Sequence, residues 1–396
     1  VSVSVHFVAD VHVANHSRLG GPLKGGRNLR ARQTLDVLTR ARERADEAGA
    51  DLVVVGDLFD NPRPSPSIVQ GVREALLSSP DLQRPLKSYL LVGNHDQGST
   101  ESDHHAMASM KPLPGAVYTR APQVVEDPLS VWRPGSEVAL RLFPFEPRMT
   151  GREYVTQALA TASTAPPLPT IACFHLGVED DRTPPWLRGQ PDSVRLDHLV
   201  PQCIEHGVDG VVVGNWHGHQ HWDAEGVKVW QCGALVPTGW SNVSTVDTLG
   251  TDADPYGHVV TWDSSRPLTE RWGTYTLAGP RYVRASNVTE AVAAIEVGRS
   301  RGCPLYVRVQ VSPENIPTTS AALEGVEGMG SDCWVEVVPA DATRSGEAEK
   351  PSPDLEQSAH DLRAAVREYV AALALGDIDP ERVCARVGEA LQRARG

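Results

Sequence analysis

The sequence predicts an α/β fold in which parallel strands present their loops along one edge. Two observations predict it. Short apolar runs repeatedly end at a glycine or alanine followed by an acidic or amide residue, as in Ala9-Asp10, Gly56-Asp57 and Gly93-Asn94. An amphipathic segment of helical spacing lies between the first two of these runs, and strand–helix–strand order implies parallel pairing through right-handed crossovers. The carboxyl ends of the strands, and any ligand site, then share an edge.

Val1 to Val8 alternates and turns apolar, which predicts a buried strand entering the loop that holds Asp10 and His12. From Leu29 to Ala48, Leu35, Leu38, Ala41, Ala45 and Ala48 recur at helical spacing, with Gly49 as the stop. Asp51 to Val55 and Ser88 to Val92 are further strands. From about Ala116 the pattern changes to short strands at Val138–Phe143, Thr170–Phe174, Gly210–Val213, Val227–Gln231 and Gly257–Trp262. After Gly279-Pro280 a small α+β unit is expected: strand Tyr282–Ala285, helix Val288–Arg299, strand Pro304–Val311 and strand Cys333–Val338. The polar stretch 342–354 reads as a linker. Beyond it Leu362, Val366, Tyr369, Val370 and Leu373 form one apolar helix face, and Asp379-Pro380 opens a second helix. The expected boundaries are therefore 1–280, 281–341, 342–354 and 355–396.

A chain of 396 residues has length for two or three domains, and 40% hydrophobic with 22% charged residues excludes a disordered or fibrous protein. The net charge of −13 provides no overall basic field for nucleic acid, so any polyanion site must be local. The 34 glycines and 31 prolines imply many loops, where sites are usually built. The six cysteines have no C-x-x-C spacing and read as reduced core thiols. No apolar run is long enough for a bilayer and no basic leader opens the sequence, so no membrane association and a cytoplasmic location are expected.

The chemistry lies in five motifs met in order at strand ends: Asp10-Val11-His12, Gly56-Asp57-Leu58-Phe59-Asp60, Gly93-Asn94-His95-Asp96, His175, and Gly218-His219-Gln220-His221. Mixed carboxylate, imidazole and amide ligands suit divalent ions such as manganese, iron or zinc, and a carboxylate such as Asp57 can bridge two of them. A paired centre makes water a nucleophile near neutral pH and neutralises phosphate oxygens, which points to phosphoester hydrolysis. His217 offers a shifted register for the last motif.

At these residues the chain resembles the calcineurin-like metallophosphoesterase superfamily, whose motifs D-x-H, G-D-x-x-D, G-N-H-D/E, a lone His and G-H-x-H are all present. The resemblance implies a four-layer α/β/β/α sandwich with a small α+β cap domain and C-terminal amphipathic helices. It assigns Asp10, His12 and His221 to one ion, Asn94, His175 and His219 to the other, and Asp57 to both. His95 would protonate the leaving oxygen or stabilise the transition state, and Asp60 would orient it. The cofactor expected is two divalent ions, Mn2+ first, with Fe2+, Zn2+ or Mg2+ as alternatives.

The order of parts further resembles the SbcD-type nuclease subunit of double-strand-break repair complexes. That likeness implies a homodimer cutting DNA, with residues 355–396 docked on an SMC-like coiled-coil ABC ATPase of the SbcC type. A stand-alone phosphatase or small-molecule phosphodiesterase of the same superfamily is the alternative. Between Arg18 and Arg44, eight basic residues face only Asp36 and Glu43, and Lys24, Arg27 and Arg30 beside the Gly-rich loop are the expected contacts to the DNA backbone. Trp216, Trp222, Trp230 and Trp240 surround the last motif, where core packing is favoured over a base-stacking platform.

Overall fold

A computed structural model of the chain describes residues 3–16, 20–21, 23–77, 86–97, 105–111, 122–131, 137–161, 168–237, 257–301, 305–324, 326 and 333–340. The expected linker 342–354 and terminal helices 355–396 lie outside the described residues, as do Arg18 and Trp240. All described residues belong to one compact unit, Val1–Ala340.

The chain runs through β1 (Ser4–Val8), α1 (Leu29–Glu47), β2 (Asp51–Val54), α2 (Pro66–Leu76), β3 (Ser88–Leu91), β4 (Gln123–Val125), β5 (Leu129–Val131), β6 (Ala139–Phe143) and α3 (Gly151–Thr161). It continues through β7 (Thr170–His175), β8 (Gly177–Glu179), β9 (Ser193–Arg195), α4 (Leu196–Glu205), β10 (Gly210–Gly214), β11 (Gln220–Ala224), β12 (Val227–Gln231), β13 (His258–Asp263) and β14 (Trp272–Thr276). The last elements are β15 (Arg281–Ala285), α5 (Val288–Arg301), β16 (Leu305–Val311), α6 (Ile316–Glu324) and β17 (Cys333–Pro339).

Two six-stranded sheets result, in the orders β14-β13-β1-β2-β3-β4 and β11-β12-β10-β7-β6-β5. In the first, β1 through β4 are parallel; in the second, β12, β10, β7 and β6 are parallel. The period-2 alternation of side chains sorts them into layers. Val53 and Val55 join Leu142, Ile171, Cys173 and Val212 in a core between the sheets. Leu52 and Val54 face outward onto Leu38, Ala41 and Ala45 of α1. On the far side, Ala172, Phe174, Val211 and Val213 pack against Val155, Leu159, Leu199 and Cys203 of α3 and α4. The result is the four-layer α/β/β/α sandwich, with parallel strands of both sheets delivering their loops to one site.

α1 begins where Asn28 accepts a hydrogen bond from Ala31 N at 2.9 Å, a capping arrangement, and ends before Gly49 at φ 63°. Three helices go beyond the sequence expectation. α2 has Ser65 as N-cap and Pro66 in its first turn. α3 starts with a reciprocal capping box, in which Thr150 N donates to Glu153 at 3.0 Å and Glu153 N donates to Thr150 Oγ1 at 3.3 Å. α4 carries Pro201 inside it, which interrupts the helical signal.

Residues 281–339 form a three-stranded parallel sheet, β15-β16-β17, whose Val283, Leu305, Val307 and Val309 bury against Ala291, Ala294, Ile295 and Leu323 in a core of its own. The opposite face carries Tyr282 and Tyr306, stacked with ring centroids 4.9 Å apart. The Pro237 carbonyl accepts from Tyr282 Oη at 3.4 Å and from Arg30 Nη2 at 3.1 Å, so this sheet and α1 share one acceptor. Cys173, Cys203, Cys232 and Cys333 are buried free thiols. No helix among the described residues is long and apolar enough to cross a membrane.

Candidate metal centre

The loops after β1, β2 and β3 in one sheet, and the ends of β7 and β10 in the other, meet between the sheets. Two glycines are needed for this approach. A Cβ on Gly56, at φ 85°, would lie 2.0 Å from His175 Nδ1, and one on Gly93 would lie 2.2 Å from Asp57 Oδ1. Asp10, His12 and Asp57 themselves adopt φ of 51°, 49° and 50°. Non-glycine residues in that region cost about 1 kcal/mol or more each and persist where the surroundings enforce them. All three are expected metal ligands.

Buried acceptors face one another around Asp57, which is 1% exposed. On one side, His175 Nε2 lies 3.3 Å from Asp57 Oδ1 and 2.8 Å from the Asn94 side-chain amide. His175 Nδ1 is 2.8 Å from the Val55 carbonyl and donates to it, so Nε2 is the nitrogen that a neutral ring would offer to a cation. On the other side, His12 Nε2 lies 3.6 Å from Asp57 Oδ2 and 3.1 Å from His217 Nε2. Asp10, His12 and His217 form one cluster with ligand atoms within 4.8 Å of each other, and Asp10, Asp57 and His175 form another. Side chains of metal-ligand type converge here, and the two oxygens of Asp57 face different imidazoles, an arrangement that fits two cations sharing one carboxylate.

The electrostatics agree. Burial pushes the Asp10 carboxyl up to about 6. Burial also opposes charge on Asp57, but His175, His12 and His95 hold it well below the usual carboxylate range. Burial disfavours a charged His175, yet Asp57 and Asp10 beside it push it up to about 10. In the metal-free chain the anionic carboxylates are thus compensated by protons on imidazole, and metal binding must release those protons.

The structure corrects the register of the last motif. His217, not His221, reaches Asp10 and His12. His219 turns away: its Nδ1 lies 3.1 Å from the Cys232 carbonyl and its ring stacks on His258 at 4.1 Å. His221 is exposed on β11 and stacks on Trp230 at 4.9 Å. The physical reason is strand geometry: β10 ends at Gly214, and three residues carry the loop to His217, whereas Gln220 already starts the outbound strand β11. Gly214-Asn215-Trp216-His217 therefore occupies the G-H-x-H frame, with Asn215 in the first histidine's place. Asn215 N donates to Asp10 Oδ1 at 2.9 Å, and its Nδ2 donates to Asp192 Oδ2 at 2.8 Å.

His95 is exposed at the edge of the centre, its ring meeting that of His12 edge to face at 4.7 Å. Its backbone N–H donates to Asp57 Oδ1 at 2.9 Å, and its Nδ1 lies 3.2 Å from the backbone carbonyl of Asp60. With Nδ1–H donating there, Nε2 remains for a substrate oxygen. The Asp60 carboxylate lies beside His12 and His16 and shares a cluster with His12 and His95, their ligand atoms within 4.8 Å of one another. Asp96, to which sequence reasoning gives no role, is fully buried and accepts from Phe59 N and Gly93 N at 2.9 Å each. It ties the loop of Asp57 to the loop of Asn94; its place immediately after His95 in the G-N-H-D motif is the available signal.

The expected DNA contacts are largely committed elsewhere. Arg30 is 4% exposed and donates to Pro237, which removes it from any phosphate. Arg27 Nε donates to Ser67 O at 2.8 Å, and its Nη2 lies 3.4 Å from Glu74 Oε2. Lys24 is exposed.

A pair of bound divalent ions would supply Lewis acidity toward phosphate oxygens and a nucleophile from water. Asp10, His12, His217, Asn94 and His175 would hold them, with Asp57 common to both, and His95 would hold or deliver a proton at the departing oxygen. No curated protein matches the chain. Among solved structures, it is similar to the protein TT1561 of Thermus thermophilus, at 13% identity and a TM-score of 0.41 over 70% of this chain and 99% of that one. A purple acid phosphatase from yellow lupin seeds matches at 13% and 0.41, over 67% of this chain and 49% of that one. A dimetal phosphatase from Danio rerio matches at 11% and 0.36, over 69% and 98%. Residues 3–223, more than half of the sequence, match the model of the calcineurin-like phosphoesterases, and the chain belongs to that family of metal-dependent phosphoester hydrolases.

Proposed function

We propose that this hydrolase is a DNA nuclease, the catalytic subunit of an SbcCD-like complex in DNA end processing, repair and recombination. It would use two divalent ions, manganese first. The observation that carries phosphoester hydrolysis is the division of the two Asp57 oxygens between facing acceptor clusters, with His95 at the rim. Support for the nuclease reading is the order of parts: a five-motif sandwich, a small sheet unit with its own core, then a polar stretch and two amphipathic segments in the sequence. Homodimerisation and docking of residues 355–396 on a coiled-coil ATPase belong to the same proposal.

A stand-alone phosphatase or small-molecule phosphodiesterase is the second reading. It is favoured by the net charge of −13 and by the internal commitment of Arg27 and Arg30. The test supplies purified protein and Mn2+ with linear double-stranded DNA and, in parallel, a chromogenic phosphodiester, with Asp57→Ala as control. DNA cleavage lost in the control supports the nuclease; hydrolysis of the small ester alone selects the second reading. Deleting residues 355–396 is expected to abolish pull-down of the ATPase.

A further inference from the structure

We propose that Asp60 is a positioning residue for the metal ligand His12 and that it acts on ion affinity rather than through His95. The proposal rests on the reading of the centre as a metal site. It starts from tautomers. An imidazole that presents Nε2 to a cation carries its proton on Nδ1, and that proton needs an acceptor that fixes the ring.

For His175 the acceptor is the Val55 carbonyl at 2.8 Å. For His12, whose Nε2 faces Asp57 and His217, the corresponding Nδ1 is buried and makes no well-formed hydrogen bond. It lies 3.3 Å from Asp60 Oδ1, off the ideal line. With Nε2 given to a cation, the single proton of the neutral ring would sit on Nδ1, and Asp60 would be its acceptor. The other oxygen, Asp60 Oδ2, is 3.5 Å from His16 Nδ1, and His16 Nε2 is 3.1 Å from the His12 carbonyl. The carboxylate thus lies against the ring of this ligand, and the neighbouring imidazole bonds its backbone.

His95 draws on Asp60 differently. Its Nδ1 reaches the backbone carbonyl at 3.2 Å, a contact that does not depend on the identity of the side chain. Replacing the Asp60 carboxylate by an isosteric amide therefore keeps this backbone hydrogen bond of His95 and weakens the support of His12. Carboxylates in this outer position change metal affinity about 10- to 100-fold when removed.

The experiment uses the full chain, stripped with chelator and titrated with Mn2+ while the free-ion electron paramagnetic resonance signal is followed. Asp60→Asn is expected to weaken the tighter Mn2+ equivalent about 10- to 100-fold, and its deficit in hydrolysing a chromogenic phosphodiester is expected to shrink as Mn2+ is raised. Asp60→Glu, which keeps a carboxylate, should recover part of the affinity. His95→Asn should bind Mn2+ like the unaltered chain, with a deficit that added metal does not relieve. An Asp60→Asn protein that binds Mn2+ normally but loses turnover as His95→Asn does would overturn the proposal. Failure of the unaltered chain to take up Mn2+ would instead remove the metal centre, and the proposal with it.

Discussion

Two buried polar regions lie on either side of β2, and they are satisfied in opposite ways. Beneath α1, Arg42 is 1% exposed, and its two Nη atoms meet Asp46 Oδ1 at 2.7 Å, the Ala50 carbonyl at 3.0 Å and Ser88 Oγ at 3.2 Å. At the other end of the strand, Asp57 and His175 are as deeply buried, but there the carboxylate is balanced by protons on the neighbouring imidazoles of His175 and His12. Burying charge costs several kcal/mol unless it is matched. Where donors meet acceptors the chain has met that cost internally, and the region is architectural. Where imidazole protons balance a carboxylate shared by two clusters, divalent cations can take the protons' place.

Four measurements can break or sharpen this contrast. Asp57→Ala removes the carboxylate common to both clusters and is expected to lower metal-dependent diester hydrolysis by about 10³-fold, with metal content by mass spectrometry falling in parallel. Arg42→Met should do the reverse, lowering stability to denaturant by about 3 kcal/mol by stranding Asp46, with ion stoichiometry unchanged. Loss of metal from Arg42→Met would erase the distinction between the two regions. His217→Ala should weaken metal binding by about 10-fold or more, while His221→Ala should not alter it; the opposite result would restore the frame read from the sequence.

The smallest effect is one of pH. The His175 imidazole is raised from 6.5 to about 10 in the metal-free protein. A raised base contributes stability that is complete below its unfolded value and is lost as pH rises through the folded one. The melting temperature of the chelated chain should therefore fall between pH 6.5 and about 10, and His175→Asn should flatten that fall.

Much of the sandwich is legible in the sequence because its strands are short apolar runs with period 2, and strand ends carry glycine and ligand together. Asp10, His12, Asp57, Asn94 and His175 fall at those ends, and the structure gathers them. His217 does not stand out because three histidines at every second position in His217-Gly218-His219-Gln220-His221 offer several frames. Only the point where β10 stops and β11 starts chooses among them. The arginines of α1 read as a charged face, but charge alone does not distinguish an exposed guanidinium from Arg30 or Arg42, which the fold turns inward to serve carbonyls. α3 escapes a reading of apolar periodicity, although Thr150 and Glu153 carry its capping box, because the segment lacks a strong apolar stripe.

The carbonyl of Pro237, gripped by a guanidinium from one unit and a phenol from the other, acts as a rivet rather than a hinge. Swinging the small sheet away from the sandwich would break both bonds at a place water does not readily reach, each at a cost of about 1 kcal/mol or more. At this point the small sheet and α1 are held together through one backbone atom.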